Sequence, residues 1–88
     1  MKYSLSKSII MGRNLKGGVN VVFIDQSEVM YKFTKTAGDL LLHLGDGAQS
    51  EEELLNYLVE TKNIPKNTAR LHLENFIQQI TKLKFLDR

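Results

Sequence analysis

The chain of 88 residues contains no cysteine. That absence excludes a disulfide framework and any thiolate metal site, and it fits a reducing compartment. No apolar run is long enough to span a membrane, and residues 4–10 are too short and too polar for a secretion signal. The residues catalysis most often uses are scarce. His43 and His72 are the only histidines, on separate predicted helices, with no carboxylate at ligand spacing. A phosphate loop is missing too, because Gly45-Asp46-Gly47 follows a helix instead of leading a strand into one. Linkers, repeats and low-complexity tracts are absent. These gaps predict a non-enzymatic, cytoplasmic protein with no cofactor and no bound metal, built as a single domain over residues 1–88.

What is present looks like an ordinary soluble globule, 42% hydrophobic and 25% charged. A chain of this size buries only about 60–65% of the surface its unfolded form exposes, enough for one small core. The formal charge of +2 is unevenly spread. Lys2, Lys7, Arg13 and Lys16 come before any acid, and Lys66, Arg70, Lys82 and Lys84 face only Glu74 in their stretch. The acids gather at Glu51, Glu52 and Glu53. This distribution gives weak attraction to an acidic partner, on a surface that otherwise serves solubility.

Patterning predicts three strands and then three helices. Residues 7–14 and 19–25 flank Lys16-Gly17-Gly18, whose glycines tolerate positive φ, so a hairpin is expected. Val21-Val22-Phe23-Ile24 is apolar throughout, as a central strand would be. After the polar break at residues 25–27, residues 28–33 alternate: Val29, Tyr31 and Phe33 on one face, Glu28, Met30 and Lys32 on the other. This third strand is expected at the sheet edge.

Thr34 or Thr36 can cap a first helix with Ala37, Leu40, Leu41 and Leu44 on one face, ended by Gly45 and Gly47. Ser50 and Glu53 have capping-box spacing ahead of a second helix marked by Leu54, Leu55, Leu58 and Val59 and stopping near Asn63. At that position Glu51–Glu53 answer the helix dipole and need no catalytic role. Pro65 opens a third helix with Ala69, Leu73, Phe76, Ile77, Ile80 and Leu83 on a face about 120° wide. Leu71 falls outside that stripe, and Phe85 and Leu86 fold back as a plug.

The second and third helices have helix-turn-helix spacing, so Lys66, Asn67, Thr68 and Arg70 could approach a nucleic-acid groove. Only one arginine lies on that helix, and no β-hairpin wing follows it. A small helix-turn-helix nucleic-acid binder is therefore the alternative reading, with nucleic acid the weaker partner. The main reading starts from the edge strand. Its unpaired backbone groups are templates for a foreign strand unless Glu28 and Lys32 only guard them. A peptide could pair along Glu28, Val29, Met30, Tyr31, Lys32 and Phe33 and drop alternate side chains against helix three. Leu73, Phe76, Ile77 and Ile80 would form the apolar wall, with His72 and Gln79 as polar rim. The same edge also admits a second copy of the chain.

The order of elements, Thr36-Ala37, Leu44-Gly-Asp-Gly47, Ser50-Glu-Glu-Glu53-Leu54 and Phe76-Ile-Gln-Gln-Ile80 leading to Phe85-Leu86 resemble the PqqD-like family, over about residues 7–87. These are recognition elements of ribosomally made, post-translationally modified peptides, including stand-alone proteins of lasso-peptide pathways. The resemblance implies an α+β, winged-helix-like fold: a three-stranded antiparallel sheet followed by three helices. It implies binding of a precursor's leader segment as an added strand beside helix three, and delivery to a separate leader protease or other modification enzyme. By position the leader would meet Glu28 to Phe33 and the face of Leu73, Phe76 and Ile77. The chain departs from the family at His72, where an acid is frequent, and at Lys84, where glycine often precedes the final apolar pair.

Overall fold

The computed structural model describes residues 2–86. Strands β1 (Lys2–Tyr3), β2 (Ile9–Arg13), β3 (Val19–Phe23) and β4 (Gln26–Phe33) precede helix α1 (Lys35–Gly45). A two-residue strand β5 (Gln49–Ser50) leads into α2 (Glu51–Lys62) and α3 (Lys66–Lys82). The architecture is α+β, with an antiparallel sheet in the order β2-β3-β4 and three helices. The expectation of three strands missed β1 and β5, which pair through Lys2↔Ser50 and Tyr3↔Gln49. Two residues carry no alternation, so only tertiary pairing reveals them.

The β2–β3 turn is organised by Asn14. Its side-chain oxygen accepts from the amides of Lys16 and Gly18, both at 3.0 Å. Gly17 holds φ of +87°, a conformation that favours glycine. β3 runs up the middle of the sheet, with Val19 and Val21 fully buried. α1 crosses it closely: a Cβ on Gly38 would stand 2.6 Å from Val19 Cγ2. Asp39, next along α1, accepts from Arg13 Nη2 at 2.7 Å and from Lys62 Nζ, tying β2, α1 and α2 together.

The helix boundaries follow local chemistry. Ser50 Oγ accepts from the Glu53 amide at 3.1 Å, and Glu53 Oε1 accepts from the Ser50 amide at 2.8 Å, a closed capping box. Asn63 ends α2 in the left-handed region, and Pro65 occupies the cap position before α3. Thr34 caps α1 by backbone alone, its carbonyl accepting from Gly38 at 2.7 Å. Leucines of α1 and α2, and Ala69, Leu73, Phe76 and Ile80 of α3, meet Val19, Val21 and Phe33 in one core. Burying each large side chain contributes about 1.5–3 kcal/mol.

After α3 the chain turns back. Lys84 adopts φ of +64°, so the last turn takes the glycine-like conformation although lysine stands there. Phe85 is thereby driven into the core, with ring centroids 5.4–5.7 Å from Phe23, Tyr31 and Phe33. Ser6 donates to the Phe85 carbonyl at 2.7 Å, and Leu5 pairs with Leu86. The terminal plug expected from Phe85 and Leu86 is present. Leu71 points outward, as its phase predicts.

Candidate functional site

β4 is an edge strand, and the ladder shows which of its groups are free. The Asn14 amide donates to the Gly18 carbonyl at 2.9 Å, and Ile24 donates to Ser8 at 2.7 Å. Bonded pairs alternate along an antiparallel ladder, so Gly18, Asn20, Val22 and Ile24 turn their peptide groups toward β2. Val19 and Val21 turn theirs toward Phe33 and Tyr31. Met30 and Lys32 are left with amide and carbonyl pointing off the sheet. That is a short template, two residues offering four groups.

The template is shorter than residues 28–33 because the register slips. Val22 pairs with Met30, whereas the next residue, Phe23, pairs with Gln26. Three residues of β4 therefore loop out between these pairs. The slip explains Val29, expected beside Tyr31 and Phe33 on the half-buried face but 47% exposed. Met30, at 53% exposure, and Lys32 lie on the open face, and Glu28 is also exposed.

Two separate hollows border α3. One, of about 160 Å³, is lined by Thr34, Thr36 and Leu40 opposite His72, Phe76 and Gln79. The other, of about 520 Å³, lies between Phe23, Asp25 and Tyr31 and the Lys82–Lys84 segment. Fully buried Phe85 packs against Tyr31 and Phe33 and lines neither hollow. Both hollows thus mix polar and apolar lining, and the vacant backbone groups of Met30 and Lys32 lie outside them, on the edge of β4.

The structure brings His72 and Gln79 to the hollow opposite the start of α1, with Phe76 beneath them at 3% exposure. Leu73 and Ile80, assigned to the wall from periodicity, belong instead to the core, at 2% and 0% exposure. Tertiary neighbours bury that part of the apolar arc, and a stripe about 120° wide does not separate lining from interior. Ile77 is half-buried against the core and lines neither hollow. Asn75, Lys82, Leu83 and Thr34 line the hollows and were not anticipated. One sequence signal could have found the helix wall: His72, Asn75, Gln79 and Lys82 follow a 3-4-3 spacing, a polar seam beside the apolar one.

The displaced acid groups lie away from the hollows. Burial pushes the Asp39 carboxyl up, but hydrogen bonds and charge from Lys62 and Arg13 outweigh it and hold the group below the usual carboxylate range. The Ser50 backbone amide and hydroxyl keep Glu53 low as well. Both serve the scaffold. Among the described residues no cluster of three His, Asp or Glu side chains could hold a metal. No helix is long and apolar enough to cross a membrane among those residues.

The start of α3 offers little to a nucleic-acid groove. Lys66 and Arg70 share a hollow of about 230 Å³ with Glu51, Glu52 and Glu74. A phosphate chain approaching the two cations would meet three carboxylates.

No family model matches the chain, and no curated protein matches it. A solved structure, TbiB1 in complex with the TbiA(beta) leader peptide, has the same fold. The two superpose with a TM-score of 0.79 at 13% identity, over 96% of this chain and 94% of that one.

Proposed function

We propose that this protein is a leader-peptide recognition element that adds an extended segment of a precursor peptide to β4. The observation that supports it is that Met30 and Lys32 turn vacant peptide groups off the free edge of β4. Main-chain pairing supplies affinity, and alternate peptide side chains entering the hollows beside α3 supply selection. Tyr31 and Leu83 offer apolar contact there, while His72, Asn75 and Gln79 offer hydrogen bonds. The shared fold with TbiB1, solved with a leader peptide, supports this reading.

The protein works without catalysis, in the cytoplasm, by raising the local concentration of a precursor near a separate leader protease or cyclase. A lasso-type pathway is the setting the PqqD-like resemblance of the sequence favours. A strand with two or three filled pockets gives a Kd of about 0.01–1 μM, roughly −8 to −11 kcal/mol. The test is calorimetry with a peptide selected from a random displayed library. Met30→Pro removes only an outward amide, a substitution that edge strands tolerate, and should abolish binding in a folded protein. Undiminished affinity in that folded variant would refute strand addition.

A further inference from the structure

Past the carboxyl end of β4 lies another hollow, of about 410 Å³, and three lysines wall it. Lys16 comes from the β2–β3 turn, Lys32 from the free edge of β4 and Lys35 from the first residue of α1. Phe33, Thr34, Asn14 and Gly18 complete the lining, and no acid is among them. Three separate elements thus bring three lysine stems to one mostly apolar space, and no carboxylate in its lining offsets the mutual repulsion of the charges they carry.

The neighbouring charges do not resolve this. Among the described residues the ion pairs are Lys2–Glu53, Arg13–Asp39 and Lys62–Asp39, and none involves the three lysines. Arg13, the other cation of the hairpin, is committed to Asp39 and to the Gly17 carbonyl. Lys35 is held against the turn: a Cβ on Gly17 would lie 3.6 Å from Lys35 Cδ. It also begins a helix whose first turn contains no acid, where a cation opposes the helix dipole. A carboxylate in the hollow would relieve both the repulsion and that opposition.

We infer that this hollow takes an Asp or Glu side chain of the peptide that pairs with β4, and so selects acid-bearing leaders. The inference rests on the strand-addition reading and deepens it. The hollow stands where a strand paired to Met30 and Lys32 would emerge beyond Thr34. Backbone pairing then reads extension, the hollows beside α3 read apolar side chains, and the lysines read one charge at a fixed offset. A shifted register would strand the acid away from its cations, so the hollow also fixes register.

The test selects random dodecapeptides displayed on phage against wild type, against Met30→Pro, and against Lys16→Gln/Lys32→Gln/Lys35→Gln. Peptides from wild type should share an apolar motif with Asp or Glu at a constant distance to one side. The triple variant, folded by circular dichroism, should recover the apolar motif without the acid. For one selected peptide, exchanging its acid for the amide should weaken binding to wild type about tenfold, the scale of a charged hydrogen bond. The same exchange should leave binding to the triple variant unchanged.

Selected peptides that carry no acid, or whose acid is equally favourable to the triple variant, overturn the inference and leave strand addition standing. Peptides that bind folded Met30→Pro as well as wild type overturn strand addition, and the inference with it. If Met30→Pro does not fold, hydrogen exchange decides the same point. Slowed exchange of the Met30 and Lys32 amides on peptide addition supports pairing, and unchanged exchange refutes it. Failure to select any peptide overturns both.

Discussion

The β2-β3-β4 sheet has two edges, and the chain treats them differently. Beside β2 lies a hollow of about 300 Å³, with Leu5, Ser6 and Lys7 on one side and Gly45, Gly47 and Ala48 on the other. A Cβ on Gly45 would come within 2.9 Å of Met11 Cε. Arg13, at the end of β2, is fastened to Asp39. Beside β4 there is a slipped register and exposed Met30. Exposed edges invite association, and proteins generally blunt them. Both edges turn peptide groups outward, Ile9, Met11 and Arg13 on β2 and Met30 and Lys32 on β4, so the difference lies in what stands beside each. The β2 edge is tied at its end by the Arg13–Asp39 pair, and β4 has no such ion pair among the described residues.

The largest way to break this contrast is Phe85→Ala, which removes the ring packed against β4. It should cost about 3–5 kcal/mol, read by chemical denaturation, and leave the β2–β3 turn intact in amide exchange. A pair of prolines sharpens the comparison next. Tyr31→Pro deletes an inward ladder bond and a packed ring and should cost about 3 kcal/mol or more, whereas Met30→Pro should cost less than about 1 kcal/mol. Equal losses of stability would show that the assignment of inward and outward groups is reversed.

The tied edge is tested through Asp39. Its carboxyl is held below its unfolded value, so its contribution is present above the unfolded pKa and fades as pH falls through the folded one. Asp39→Asn should lower stability by about 1–2 kcal/mol at neutral pH, allowing for the partly exposed Arg13 partner. It should also flatten the acid limb below about pH 4 in urea titrations. The smallest effect is expected just after α3. Lys84→Gly removes a left-handed lysine and should raise stability by about 1 kcal/mol, a shift of several degrees in Tm.

Much of this was legible because it is local. The Ser50–Glu53 box, the stop at Asn63 and Pro65, and the apolar stripes of the helices all follow from contacts within a turn or two. β4 could be read as an edge strand from its alternation. Its inserted residues could not, because the slip is set by pairing with β3. The Arg13–Asp39–Lys62 junction joins residues 23 and 26 positions apart, and no pattern announces it. On α3 the periodicity found the apolar arc but could not divide it. The division depends on tertiary neighbours, which bury Leu73, Phe76 and Ile80 and leave Ile77 and Leu83 half-buried.

Phe85 follows α3 yet touches three rings of the sheet, Phe23, Tyr31 and Phe33. It acts as a spacer block whose thickness sets how far apart the two walls stand. Swapping it for leucine or tryptophan would re-gauge the gap, so the bulk of the guest residues accepted would be governed by a side chain that none of them touches.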